Sequence, residues 1–337
     1  MDNSNLIDPY SRQITYLRLS VTDRCDLRCT YCMSEHMQFL SKKNILTFEE
    51  MFKVCEGFIE LGVNKIRITG GEPLVRKNII DFFMMLQPFV GSKLKELTLT
   101  TNGTQLKRYS NALYKAGVRR VNVSLDSLDN EKFREITRIG KLQTVLDGIK
   151  AAKDSGLKVK INCVALKNIN ENEIEPFIDW CLKEEFDLTF IETMPMGDIG
   201  NENRLSNFLS LDDVKTKIKG KYKLKDIDYS SGGPARYCKF EGSKIKLGFI
   251  TPLSHNFCAT CNRVRIDATG VMHQCLGQSN SIDFRKILRS SNPSHQDIIE
   301  YIKIAISDKP EKHSFAFDYS KMKIEGKINR HMSMTGG

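Results

Sequence analysis

The run Cys25-Asp26-Leu27-Arg28-Cys29-Thr30-Tyr31-Cys32 places three thiols on one short loop at C-x3-C-x2-C spacing. A closed structural zinc site or a four-cysteine iron–sulfur cluster takes four ligands. If these thiolates hold a [4Fe–4S] cluster, one iron is left open to something that is not protein, and an open iron is a place for chemistry. The competing reading is a zinc knuckle completed by a distant ligand such as His36. Cys258-Ala259-Thr260-Cys261 followed by Cys275 gives a second incomplete set, with His273 as its available fourth ligand. On spacing alone, zinc and an open cluster fit this set equally. Next to it, Arg263 and Arg265 alternate on one side of a short strand. Planar guanidinium forks match phosphate oxygens, with surface solvation as the plain alternative. Gly70-Gly71-Glu72-Pro73 adds a backbone that a ligand can approach closely, or simply a tight strand-to-helix turn.

These groups need a frame. Six β-branched or apolar runs recur, beginning near Tyr16, Lys65, Leu97, Val121, Val159 and Leu188, with helical patterns between them. After the first gap they lie roughly 25 to 40 residues apart, the repeat of βα units in a parallel sheet. The expected fold is α/β, a partial parallel barrel of six βα units, with a C-terminal region that carries the second cysteine set. Thr47 with Glu50 forms a capping-box signature before apolar spacing at Met51, Val54, Cys55, Phe58 and Ile59. Gly62, Gly117 and Gly156 stand where helices hand the chain to strands. The informative polar residues cluster at the C-terminal ends of the strands, the active-site end of parallel α/β barrels. The rhythm breaks near Met196 and the chain turns lysine-rich, so the domains are expected at 1–215 and 216–337.

The 337 residues are 40% hydrophobic and 27% charged, enough for a sizeable core. No run approaches the roughly 18 apolar residues of a membrane span, and the N-terminus lacks a signal-peptide pattern. The expectation is a cytoplasmic protein without membrane contact, whose ten cysteines are metal ligands and ordinary buried thiols. Cys55, Cys163, Cys181 and Cys238 read as the latter. A net charge of +10 favours a polyanionic partner, although alternating Lys215 to Lys225 read as a solvated strand edge or loop.

The cysteine triplet followed by Gly70 to Pro73 resembles the radical S-adenosylmethionine (SAM) enzymes. Thr22 to Cys25, Thr100 to Gly103, Asn122 to Ser127, Phe257 to Arg263 and the Gly336-Gly337 pair are similar, from about Tyr16 onward, to the GTP 3′,8-cyclase family of molybdenum-cofactor biosynthesis. The resemblance implies two [4Fe–4S] clusters, on Cys25, Cys29 and Cys32 and on Cys258, Cys261 and Cys275. It implies SAM bound by Tyr31, Gly71, Ser124 and Met194, with Gly70, Glu72 and Pro73 shaping the same wall. It implies GTP bound by Arg18, Arg67, Thr100, Lys160, Arg263, Val264 and Arg265, with Lys65 beside them, and catalytic roles for Arg263, Arg265, Gly336 and Gly337. In the family, reductive cleavage of SAM gives a 5′-deoxyadenosyl radical that removes H3′ of GTP, and closure onto C8 yields 3′,8-cyclo-7,8-dihydro-GTP. Implied partners are GTP, an electron donor such as flavodoxin or ferredoxin, the downstream cyclic pyranopterin monophosphate synthase and a second copy in a homodimer, with no nucleic acid. Two departures stand out: Thr189 replaces a family arginine, and Ser34 replaces a proline. The alternatives are another radical SAM enzyme with an auxiliary cluster, for instance one acting on peptides, and a zinc-stabilised nucleic-acid-binding protein.

Overall fold

The computed structural model describes residues 5–33, 36–194, 196, 206–255, 257–318, 323–325, 328 and 330–336. Ser34 and Gly337 lie outside the described residues. The six expected runs are strands β1 (Tyr16–Ser20), β2 (Lys65–Thr69), β3 (Glu96–Thr101), β4 (Arg120–Ser124), β5 (Lys158–Val164) and β6 (Asp187–Ile191). Helices α1 (Phe48–Glu60), α2 (Ile79–Leu86), α3 (Leu106–Lys115), α4 (Asn130–Thr137), α5 (Leu142–Asp154) and α6 (Ile174–Glu184) lie between them. Further along come α7 (Leu211–Lys221), β7 (Leu224–Ile227), β8 (Arg236–Phe240), β9 (Lys246–Ile250), β10 (Arg263–Ile266), β11 (Val271–His273), β12 (Ser281–Asp283), α8 (Arg285–Leu288) and α9 (His295–Ser307).

These twelve strands join one sheet in the order β12-β11-β10-β1-β2-β3-β4-β5-β6-β9-β8-β7, and Ala316–Asp318 pairs with Lys323–Glu325 in a separate antiparallel sheet. Every neighbouring pair from β10 through β9 is parallel. The parallel series is thus longer than six units, because β9 and β10 extend it at opposite ends. Among the described residues the sheet is open in its pairing, with antiparallel β7 and β12 at its edges. The expected boundary at 215 falls inside α7, and strands from both sides of it share the sheet.

Strict alternation explains how the sheet can be packed on one face and reactive on the other. Leu17, Leu19, Ile66, Ile68, Leu97, Leu99, Val121 and Val123 share one face and are buried in the main core. Each such side chain contributes about 1.5–3 kcal/mol by leaving water. The other face reads Tyr16, Arg18, Ser20; Lys65, Arg67, Thr69; Thr98, Thr100; Asn122, Ser124; Lys160, Asn162. A one-residue slip would exchange the two sets, so the hydrophobic face fixes the register of the polar one.

Helix α1 opens with the expected capping box: Glu50 N–H donates to Thr47 Oγ1 at 3.2 Å, and Thr47 N–H to Glu50 Oε2 at 2.7 Å. Gly62, Gly117 and Gly156 each adopt a positive φ after their helices. The lysine run departs from the expected strand edge or loop. Lys215, Lys217, Lys219 and Lys221 lie on α7, whose Leu211, Val214 and Ile218 are buried at helical spacing. Its surface charge is partly answered by Asp226, 2.5 Å from Lys215 and 3.3 Å from Lys219, and by Glu175, 2.5 Å from Lys221.

Candidate active site

Cys25, Cys29 and Cys32 are free thiols on the loop after β1, and all three line one cavity of about 180 Å3. Tyr31, Gly70, Gly71, Thr100, Ser124, Met194 and Gly336 line the same cavity. The loop is braced from below by Arg138, whose Nη1 donates to the carbonyls of Arg28 at 2.9 Å and Met33 at 3.2 Å. His36 is exposed. The triplet offers three sulfur donors, and Leu27 N–H at 3.4 Å and Asn102 Nδ2 at 3.7 Å both point at Cys25 Sγ, the N–H···S contacts that metal thiolates accept. Burial pushes Cys25 up to about 12 and Cys32 up to about 11, and Asp26, Glu72 and Asp126 add to the effect. These thiols stay protonated until a cationic metal centre displaces the protons.

The glycine loop is built for contact. A Cβ on Gly71 would lie 2.3 Å from the Arg24 carbonyl oxygen, so the chain can pass the cysteine loop only as glycine. Glu72 does not line the cavity. It is fully buried behind it, where Oε1 accepts from Leu74 N–H at 3.0 Å and Thr101 Oγ1 at 2.9 Å, and Oε2 from Asn102 N–H at 2.6 Å. Burial pushes its carboxyl up to about 8. Its role is to tie the glycine loop to the end of β3. Helix α10 (Met332–Thr335) brings Met332 and Ser333 to the same cavity, followed by Gly336 at φ 72°. A Cβ there would fall 2.3 Å from Thr69 Oγ1, so this segment is tucked into the site rather than frayed.

Beneath the cavity, one step back along the strands, cations line up across the sheet. Arg18 stands between Arg265 and Arg67 in register, and Tyr16 between Arg263 and Lys65. The Nε atoms of Arg67, Arg263 and Arg265 are buried and meet no hydrogen-bond partner among the described residues. Burial drives Arg18 well down and Arg265 down to about 10, with the neighbouring guanidiniums adding repulsion. Lys160, also driven down by burial, donates to Tyr237 Oη at 2.7 Å. Lys65 is answered by Glu96 at 2.7 Å and the Ser231 carbonyl at 2.5 Å. Packing like charges this closely is unfavourable until a further anion enters. Val264 does not join the row: it pairs with Leu17 on the opposite face and is fully buried in the core. Thr189 is fully buried beside Gly248, leaving no cation at that place in β6.

Cys258 and Cys261 precede β10 and Cys275 follows β11, outside the cavity-lining set. His273 is not their fourth ligand. Its Nδ1 faces Arg330 Nη1 at 2.9 Å, and arginine only donates, so Nε2 carries the proton and donates to Asp267 Oδ2 at 3.0 Å. Both ring nitrogens are committed. Burial would raise the Cys261 thiol, but Arg263, Lys309 and Arg265 outweigh it and bring it down to about 7.

The sequence of residues 19–181 matches the family model of the Radical SAM superfamily, and residues 186–315 match that of Molybdenum Cofactor Synthesis C. The GTP 3′,8-cyclase of Paracoccus denitrificans (strain Pd 1222) is 52% identical over 98% of this chain and 96% of its own length. That of Nitrobacter hamburgensis is 52% identical over 100% and 97%. The chain belongs to the GTP 3′,8-cyclase family. Among solved structures, Streptococcus suis SuiB bound to S-adenosylmethionine superposes with a TM-score of 0.61, covering 87% of this chain and 69% of that one at 17% identity, which is a likeness of fold.

Several residues in this cyclase-family site escaped the sequence reading. Asp126 lines the cavity, accepts from Tyr31 Oη at 2.5 Å and from Val164 N–H at 2.8 Å, and so moors the cysteine loop to β5. Burial pushes it up to about 6. Period-two alternation from Ser124 was the available signal, as it was for Asn162 after Lys160. Arg12 and Lys309, beside the second triplet, carry no local signal.

Proposed function

We propose that this chain is a GTP 3′,8-cyclase, a radical SAM lyase of molybdenum-cofactor biosynthesis, with Cys25, Cys29 and Cys32 holding one [4Fe–4S] cluster and Cys258, Cys261 and Cys275 a second. The observation that carries the reading is a row of four largely buried arginines, Arg18, Arg67, Arg263 and Arg265, set one step back from a thiol-lined cavity on one polar face of one sheet. When bound, the first cluster and SAM supply one-electron cleavage of the sulfonium and hence a radical oxidant for a C–H bond.

The chain's own residues provide position and exclusion of water. Gly70, Gly71, Ser124, Tyr31 and Met194 form the wall against which SAM lies. Arg18, Arg67 and Arg265, with Lys160 and Arg263, take the anionic end of GTP; each charge-assisted hydrogen bond contributes about 1.5–3 kcal/mol. Thr100, whose buried Oγ1 has no partner among the described residues, sits between the two ligands. Gly336 closes the cavity against Thr69, and a catalytic role for Gly336 and Gly337 is part of the same proposal. A flavodoxin- or ferredoxin-type electron donor, a homodimer and hand-over to cyclic pyranopterin monophosphate synthase are further parts of the proposal. Among the described residues no helix is long and apolar enough to cross a membrane.

The test is to reconstitute the protein anaerobically, reduce it and supply SAM with GTP. The expected result is 5′-deoxyadenosine together with a cyclised guanosine nucleotide. Unconverted GTP, with 5′-deoxyadenosine formed only on another substrate, would reject the reading.

A further inference from the structure

Lys309 is 2% exposed, and among the described residues no carboxylate pairs with it. Its Nζ donates to the Gln274 carbonyl at 2.8 Å and points at Cys261 Sγ from 3.8 Å. Gln274 precedes Cys275 directly, and its side-chain amide is fastened to the Ala305 carbonyl of α9 at 2.7 Å. Lys309 N–H closes the same helix by donating to Ile306 O at 3.0 Å. The next two residues are gripped by Arg12, which donates to Pro310 O at 2.7 Å and Glu311 O at 2.5 Å. The same guanidinium reaches Cys258 O at 2.9 Å and is locked by Asp8 at 2.6 Å. One clamp therefore fixes the ammonium relative to all three parts of the second triplet. Among the described residues no ammonium is aimed at a thiol of the first triplet, where the groups aimed at Cys25 Sγ are the neutral amides of Leu27 and Asn102.

We infer that Lys309, held by Arg12, is a positioning cation of the second metal centre that raises its reduction potential above that of the first. A fixed positive charge and an N–H···S contact both favour the more negative, reduced form of a thiolate-bound cluster, and burial keeps the effect strong. Electrons are then retained more readily at the substrate side than at the SAM side. The inference rests on the proposed iron–sulfur occupancy of the second triplet.

The experiment is an EPR-monitored redox titration of the anaerobically reconstituted full chain, with iron counted in each preparation. Lys309→Met is expected to move the second centre's midpoint negative by at least about 59 mV, a tenfold change in its reduced-to-oxidised ratio. The first centre stays in place, and Lys309→Arg restores the wild-type value. An unmoved midpoint in a fully loaded Lys309→Met protein, equal shifts at both centres, or Lys309→Arg behaving like Lys309→Met would overturn the inference. If Lys309→Met loses the second centre's iron, retention in Lys309→Arg supports the charge role, and loss in both variants refutes it in favour of a scaffold role. Wild-type protein carrying iron at the first triplet only would instead sink the occupancy on which the inference stands.

Discussion

The two cysteine triplets have the same count of thiols and opposite surroundings. Around the first stand Asp26, Glu72 and Asp126, and burial together with these acids keeps its thiols protonated. Around the second stand Arg12, Arg263, Arg265 and Lys309, and Cys261 is brought down to about 7. A metal centre in the second pocket meets cations that favour added electrons and attract a polyanion, whereas the groups aimed at the first are neutral amides that give no such help. An equal count of thiols, at different spacings, thus supplies the same kind of donor set, and the outer residues assign the two sets different work.

The comparison breaks most sharply if the triplets are removed one at a time. Cys25→Ala is expected to abolish SAM cleavage and to lower iron from about eight to about four per chain. Cys261→Ala is expected to lose the same iron but to retain SAM cleavage, read as 5′-deoxyadenosine, while forming no cyclised nucleotide. Identical phenotypes would erase the division of labour. In cluster-free protein, iodoacetamide followed by mass spectrometry should find Cys261 half ionised near pH 7, because its pKa is lowered to about 7. Cys25, raised to about 12, should react only in strong alkali. Equal modification of the two at neutral pH would contradict the electrostatic contrast.

Smaller effects probe the ground between the triplets. Arg67→Ala removes one buried guanidinium from the row and should lower kcat/KM for GTP by about 30- to 150-fold, equivalent to about 2–3 kcal/mol. Cluster content should be unchanged, so a loss of iron would mark the row as structural. Gly336→Ala must place a Cβ against Thr69 at a φ of 72°, and about tenfold slower turnover with unchanged iron is expected. Undiminished turnover would remove the segment after α10 from the site.

Much of this was legible because it is written locally. The β-branched runs Tyr16 to Ser20 and Lys65 to Thr69 mark strands, while Arg18 and Arg67 on them were singled out by the family resemblance. The triplets announce themselves by spacing, and Thr47 with Glu50 opens a helix by rules confined to four residues. What was missed is set by long-range packing. Lys215 to Lys221 alternate like a strand, but Leu211, Val214 and Ile218 bury the same segment as a helix. Glu72 belongs to a ligand-binding motif by position, and only the burial of its carboxylate under Leu74, Thr101 and Asn102 makes it a tie between loops. Val264 lies between two functional arginines, and the strand's pleat turns it to the core. His273 was an available zinc ligand until Arg330 and Asp267 took both of its nitrogens.

The Asp8–Arg12 clamp has a consequence in time. Arg12 is separated from Pro310 by 298 residues and from Cys258 by 246. Three groups that brace the first triplet come before Ile174: Arg138, Asn102, and Asp126 with its Val164 partner. During synthesis on a ribosome, those braces emerge early, whereas the second pocket has its full wall only in a chain translated past residue 311. Both pockets nevertheless wait for late residues, because Met332, Ser333 and Gly336 line the first triplet's own cavity and are made later still.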